Sequence, residues 1–375
     1  NKNIIYCDFF QRPISNIFMK YFSKIDQNLH PKRVSFLKKL YLSNNIKKKN
    51  KTKINNKIIS EIMLSRKKYI KTNFLGGTWE WVEKNKRKNK QNITPVILSE
   101  LLDNFFRNDL SFGLISSHWK KMIRKDYSEK IVSDILKNIN SWEEFTKTKN
   151  IDYNLLDSKK DSGNPYGIIY KKKLILYDTP RHDYYANKIQ NLIFRKNNIP
   201  TILEIGGGYG GLLSQLLKRK LKFNYINIDL FKTLQVAYFF IRKNFQKKIN
   251  FASHINNEIM KNSNNGKIIF VPYNEHDFWK SKVKIDILFN SNSFSEMGKN
   301  SLTHYFKIIN SKIKPKFIMH QNTNEEAFSK LKRYKEIPSS KFPIDKKNYK
   351  LKYFNLSIFH GGSGRYREYL YKRKN

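Results

Sequence analysis

"TILEIGGGYGGLLSQLL", Thr201 to Leu217, is the stretch on which the fold turns. An apolar run ends at Glu204 and Ile205, five of the next six residues are glycine, and an apolar periodic segment follows. A short apolar run bounded by glycines reads as a buried strand, and "YGGLLSQLLKRK" reads as a helix. Glycine permits positive φ and lets a ligand approach the backbone closely. The stretch is therefore a strand, a tight turn open to a ligand, and a helix whose N-terminus faces that turn.

The same alternation continues downstream. "FNYINID", "KIIFVP", "IDILFNS" and "KFIMHQ" read as strands, while "FKTLQVAYFFIRKNF", "KNSLTHYFKIINSKI" and "NEEAFSKLKRY" read as helices. "YNEHDFWKS" reads as a loop. "LKYFNLSIFH" and "REYLYKRK", joined by "GGSG", read as a closing antiparallel pair. Such alternation implies a doubly wound, Rossmann-like α/β sheet, mainly parallel, with helices on both faces and an antiparallel C-terminal strand. Upstream, residues 163–180 read as a hairpin with a lysine turn, and "RHDYYANKIQNLIFRKNN" as a helix.

Residues 1–150 read as a basic, mostly helical N-terminal region, and 151–375 as the α/β domain, with 201–375 as its Rossmann-like core. Val34, Leu37 and Leu40, then Ile58, Ile59, Ile62 and Met63, recur at helical spacing. "NNIKKKNKTKINNK" between them, and "EWVEKNKRKNKQNITP" after them, read as polar connectors. Thr94 is placed to cap a helix with Pro95 in its first turn, and Ile97, Leu98, Leu101, Leu102 and Phe105 share its apolar face.

Ligands in such sheets bind beyond the carboxyl ends of the strands. Gly206, Gly208 and Gly211 match the G-x-G-x-x-G of dinucleotide sites. Glu204, Gly206, Gly208 and Gly210 equally match E-x-G-x-G-x-G, and there the region resembles class I S-adenosylmethionine methyltransferases. Charge separates the two readings. A pyrophosphate at the helix N-terminus is opposed by a carboxylate on the entering strand. S-adenosylmethionine carries a sulfonium and an ammonium and no phosphate, so Glu204 suits it. Asp229 ends the next strand, where a carboxylate accepts ribose hydroxyls in either cofactor class.

A wider set of motifs resembles the sugar O-methyltransferase family of bacteria: "GNPYG…RHDYYANKI", "ILEIGGGYGG", "INIDLFKTLQVAYFF", "NSNSFSEM" and "GRYREYLYKR". The likeness covers roughly residues 150–375 and departs at Phe231, where such proteins often carry proline. It implies an S-adenosylmethionine cofactor lined by Glu204, Gly206, Gly207, Gly208, Gly210, Asp229, Leu230, Asn290 and Ser291. It also implies a sugar or glycan acceptor from surface polysaccharide synthesis. The [DNS]-P-P-[YF] motif of nucleic-acid amino-methyltransferases does not follow "ILFNS".

Methyl transfer to a hydroxyl needs a proton acceptor at a strand end. Glu296 in "SFSEM" and His320 in "FIMHQN" are the candidate catalytic residues, with His182 in "PRHDYY" behind them. No oxygen-ligand cluster for a divalent metal stands on the strand ends, so a metal-independent reaction is expected.

The formal net charge is +44, from 74 Lys and Arg against 30 Asp and Glu. A polyanion partner explains it: nucleic acid, an anionic membrane surface or an anionic acceptor. So does compositional bias, because Lys, Asn and Ile are frequent throughout and Lys far outnumbers Arg. An RNA methyltransferase and a non-catalytic scaffold of the same fold therefore stay open as alternatives. One cysteine rules out a disulfide framework within these residues. No apolar run reaches the roughly 20 residues that span a bilayer, and the first residues lack a signal-peptide core. The expectation is a cytoplasmic protein, although Asn1 rather than Met opens the chain.

Overall fold

The computed structural model describes residues 56–69, 93–107, 129–146, 152–158, 160–165, 167–195, 198–252, 266–273, 279, 283–324, 336–359 and 365–374. The expected helices around Val34 and over 324–334, both polar connectors and the 361–364 turn lie outside these residues, wholly or nearly so.

The helices are α1 (Asn56–Tyr69), α2 (Pro95–Asp103), α3 (Glu129–Thr146), α4 (Thr179–Ile193), α5 (Gly211–Lys218), α6 (Phe231–Phe245), α7 (Ser293–Glu296) and α8 (Lys299–Ile308). The strands are β1 (Ile168–Tyr170), β2 (Lys173–Ile175), β3 (Thr201–Ile205), β4 (Asn224–Asp229), β5 (Ile249–Phe251), β6 (Ile268–Pro272), β7 (Ile287–Ser291), β8 (Phe317–Thr323), β9 (Tyr349–Leu356) and β10 (Tyr366–Arg373).

β1 and β2 form the expected hairpin. Lys171 and Lys172 both take positive φ in its turn, a geometry more often given to Asn and Gly. The other strands form one sheet in the order β5-β6-β4-β3-β7-β8-β10-β9. β3 to β8 run parallel, and β10 lies antiparallel between β8 and β9. This is the expected doubly wound, Rossmann-like arrangement, with the antiparallel C-terminal strand. From β3 the chain builds outward through β4 toward β5, then returns to lay β7 on the other side of β3. The reversal point thus lies between β3 and β7, where such sheets bind ligands.

Both faces of the sheet are covered, which is why its central strands read as unbroken apolar runs. Ile202, Tyr225, Phe270, Ile287 and Met319 point into one core cluster, with α4, α5 and α6. Leu203, Ile226, Ile269, Leu288 and Ile318 point into the other, with Leu302, Tyr305 and Phe306 of α8.

The first cluster extends into the N-terminal region. Ile58, Ile59 and Ile62 of α1, Leu98 and Leu102 of α2, Phe105, Phe106, and Ile135, Ile139 and Trp142 of α3 belong to it. The Thr94 cap forms: its Oγ1 accepts from the Ile97 amide at 3.3 Å. The apolar face of α2 is narrower than the periodicity suggests, because Ile97 is exposed. Polar contacts tie the same layer down. Glu61 accepts from Tyr238 at 2.5 Å and pairs with Arg242 at 3.1 Å. Asp183 accepts from Trp142 and Arg219, each at 2.7 Å.

β9 is an outer strand, and Lys350, Leu351 and Lys352 on it are exposed. Among the described residues, no helix is long and apolar enough to cross a membrane.

Ile62 is fully buried on α1, which packs on α6. Ile62→Ala is expected to cost about 2–5 kcal/mol in urea unfolding. A single transition, shifted equally for probes in α1 and in the sheet, would place the N-terminal helices in the same cooperative unit.

Candidate functional site

The turn after β3 is built from three left-handed glycines: Gly206 (φ 76°), Gly208 (φ 58°) and Gly210 (φ 87°). A side chain would be strained at each. Gly207 and Gly211 are glycine for want of space. A Cβ at Gly207 would lie 2.6 Å from Glu204 Oε2 and 2.7 Å from Asn227 Nδ2, and one at Gly211 would enter the His182 ring. Tyr209 is the turn's one side chain and is buried. Its ring packs against Phe106 (5.2 Å between centroids), Phe240 (5.4 Å) and His182 (5.7 Å).

Glu204 lies beneath this turn. It is buried and accepts a hydrogen bond from the Tyr225 hydroxyl. Burial pushes its carboxyl up to about 7; the Tyr225 bond opposes this, and the nearby Asp229 charge adds to it. It supports the turn from below, directly against the Gly207 backbone.

Asp229 is half-buried at the end of β4. One oxygen accepts from the Gly208 amide at 3.0 Å, the other from the Leu230 amide at 2.7 Å. Both oxygens are thus held by backbone amides at the mouth of the turn. Asn227 Oδ1 accepts from the Gly207 amide at 3.3 Å, while its buried Nδ2 has no partner.

The mouth of β7 faces this turn. Asn290 is fully buried and knotted into the backbone: its Nδ2 donates to Ile205 O at 2.8 Å, and its Oδ1 accepts from Asn322 at 2.9 Å. It braces β7 against β3, with no face turned outward. Asn292 takes φ 68° at the start of α7, a left-handed conformation uncommon outside glycine. Ser291 is half-buried, donates to Gln321 Oε1 at 2.8 Å and accepts from Arg181.

Glu296 ends α7, half-buried on the same side. Burial, followed by the charges of Glu296 and Glu336, pushes the Tyr366 hydroxyl up to about 12, with Arg365 and Arg181 opposing. Carboxylates, a phenol and guanidiniums therefore share the space beyond β7 and β8.

His320 is placed differently from the expectation. β8 continues past it to Thr323, so the side chain is inside the strand and not at its end. The ring is fully buried, stacks on Tyr369 at 4.7 Å and packs against Phe342 at 5.1 Å. Neither ring nitrogen has a partner, and burial pushes the imidazole down to about 3. His182 packs on the glycine turn through Gly211 and Tyr209. Among the described residues, no group of three or more His, Cys, Asp and Glu could hold a metal ion.

Arg181 is the residue that sequence reasoning passed over. It precedes His182, but its side chain crosses from α4 to β7, where its Nη1 donates to Ser291. Only the register of α4 over the strand ends brings it there. "PRHDYY" drew attention to the histidine alone.

No family model and no curated protein matches the chain. Solved structures similar to it include the small RNA methyltransferase HEN1, with 16% identity, TM-score 0.36, and 55% of this chain matched to 26% of that one. The CcbJ methyltransferase from Streptomyces caelestis gives 12% identity and TM-score 0.36, covering 52% of this chain and 90% of that one. The N-methyltransferase NodS from Bradyrhizobium japonicum WM9, in complex with S-adenosyl-l-homocysteine, gives 9% identity and TM-score 0.35, covering 52% and 88%. Identities and scores this low carry no argument about the reaction, which has to be read from the residues themselves.

The Glu204 shift has a measurable sign. Its carboxyl sits near 7 when folded against about 4.5 when unfolded. The folded state then holds the proton more tightly, and stability is full below about 4.5 and falls as pH rises through about 7. Glu204→Gln is expected to abolish this decline. Melting temperatures of both proteins between pH 4 and 8 should diverge progressively, the variant being the more stable above 7.

Proposed function

We propose that the chain is an S-adenosylmethionine-dependent O-methyltransferase acting on a hydroxyl of a sugar or glycan. One observation carries the cofactor assignment: Asp229 at the end of β4, braced by the Gly208 and Leu230 amides, beside a glycine turn underlain by a second carboxylate. Two carboxylates at a helix N-terminus disfavour a pyrophosphate and favour a nucleoside with a cationic tail. The sheet supports the same choice. Dinucleotide folds complete their second half with a parallel strand, whereas here β10 lies antiparallel on β8.

The residues fit that cofactor. Asp229, at the end of β4 beside the glycine turn, would hold the ribose diol. Gly206 and Gly208 let the nucleoside pass close to the backbone. When bound, S-adenosylmethionine supplies a sulfonium methyl, which the acceptor oxygen takes as its proton leaves. Glu296 accepts that proton, since it is half-buried beyond β7 among polar groups. His320 is a poorer base, walled by aromatic rings within the sheet. The sugar acceptor is supported by the motif set across residues 150–375.

A second reading has one observation in its favour, the charge of +44. RNA as acceptor would make binding fall steeply with salt, whereas a neutral sugar would bind with little salt dependence.

Asp229→Ala is expected to weaken S-adenosylhomocysteine binding about 10- to 100-fold by calorimetry, the loss of charge-assisted hydrogen bonds. Glu296→Gln is expected to leave that affinity unchanged while slowing transfer about 10²- to 10⁴-fold in single-turnover assays. A folded wild type that binds neither S-adenosylmethionine nor S-adenosylhomocysteine would remove the enzyme reading and favour a scaffold.

A further inference from the structure

Three buried side chains near Ser291 each leave a polar atom without a partner. Arg181 is 7% exposed, and its Nε has no partner. Gln321 is 0% exposed, and its Nε2 has none. Tyr185 is 1% exposed, and neither is its hydroxyl satisfied. Tyr185 lies one turn beyond Arg181 on α4, so the two share a helix face. Its ring packs on Phe289 at 5.0 Å, two residues before Ser291 and on the same face of β7. Gln321 sits opposite Ser291 in the β7–β8 register. The hydrogen bonds run in one direction, from Arg181 to the Ser291 hydroxyl and from that hydroxyl to Gln321 Oε1. The amide of Gln321 is thereby left as a donor.

Burying such groups unsatisfied is costly, so three near one serine call for a ligand. Guanidinium and amide nitrogens only donate, and the complement of a fork of donors is a carboxylate. Asp178 already occupies one edge of the guanidinium, at 3.1 Å from Nη2, and His182 Nε2 lies 3.4 Å from the same nitrogen. The Nε edge is the one left over.

We propose that Arg181, with Gln321 and Tyr185, holds the carboxylate at the amino-acid end of the cofactor. This deepens the cofactor assignment made above and rests on it. The placement is consistent with the rest of the site. Ser291 ends β7 at the reversal point beside β3, and the glycine turn follows β3. From that position the Arg181 charge acts on both Glu204 and the Tyr366 hydroxyl, favouring the loss of their protons. Asp229, at the end of β4 on the far side of β3, takes the ribose, and Arg181 takes the opposite end of the same molecule.

The test is calorimetric titration of the full chain with S-adenosylmethionine and with its decarboxylated analogue, which lacks only the carboxylate. Wild type should prefer the intact cofactor about 10- to 100-fold. Arg181→Gln should lose that preference, leaving affinity for the analogue unchanged. Arg181→Lys, which keeps the charge and loses the fork, should retain part of it, and Gln321→Leu should lower affinity for the intact cofactor alone. These two serve if Arg181→Gln does not fold. Equal loss for both ligands would mean that Arg181 merely supports the site, and no loss for either would mean that it is elsewhere engaged; each overturns the proposal. A wild type that binds both ligands alike would assign the donors to an acidic acceptor and overturn it too. A folded wild type that binds neither would overturn the cofactor assignment itself, a different result from all of these.

Discussion

The carboxyl edge of the sheet depends on one constraint: the backbone between Ile205 and Leu212 has to pass between Glu204, Asn227 and His182 with no side chain to spare. Gly207 and Gly211 meet that constraint by having no Cβ, and the left-handed glycines beside them turn the chain sharply enough to start α5. Once the turn is seated, its amides are spoken for. Gly208 reaches Asp229 and Gly207 reaches Asn227, so the turn fixes the end of β4 as firmly as β4 fixes the turn. Tyr209 then extends the constraint outward, because its buried ring gives Phe106 and Phe240 a surface to pack on. The helical layer from the first third of the chain is thus coupled to the glycine turn through one aromatic cluster.

Much of this was legible in the sequence, because period and punctuation were clear. β3, β4, β6, β7 and β8 are apolar runs closed by polar or glycine-rich stretches, and α5, α6 and α8 are longer apolar-rich segments with basic residues in their last turns. β5 was not legible: Ile249–Phe251 is three residues, too short to show a period. Nor could spacing place β10 between β8 and β9, since strand order is decided by packing of the whole sheet. At the site, the division follows distance along the chain. Glu204, the glycines and Asp229 belong to adjacent elements, and their roles follow from the turn that joins them. Arg181 meets Ser291 across 110 positions, and no local pattern announces such a contact. His320 illustrates the opposite failure: a histidine near a strand end suggests chemistry, but the aromatic rings that bury it come from β10 and from Phe342.

Opposed charges organise the site. Glu204 is held under the turn with its carboxyl raised, and Arg181 is held over the mouth of β7 against Asp178. Neither is free to reorient, since Tyr225 fixes the first, and Asp178 and Ser291 the second. Pre-positioned dipoles and charges of this kind cost no reorganisation when a charged ligand arrives. The same rigidity would disfavour a ligand with the wrong sign at either end, which would meet a buried group that cannot move away.

The lysines of β9 bear on a different hazard. An outer strand offers unpaired amides and carbonyls to any passing chain, and flat apolar edges are where sheets recruit copies of themselves. Here the outermost strand, β9, carries exposed Lys350 and Lys352 with Leu351 between them in the chain. Two identical edges approaching one another would bring four ammonium groups together before a backbone bond could form. The lysine surplus that blurs the question of what this protein seeks out is, along that edge, a reason for it to leave its own kind alone.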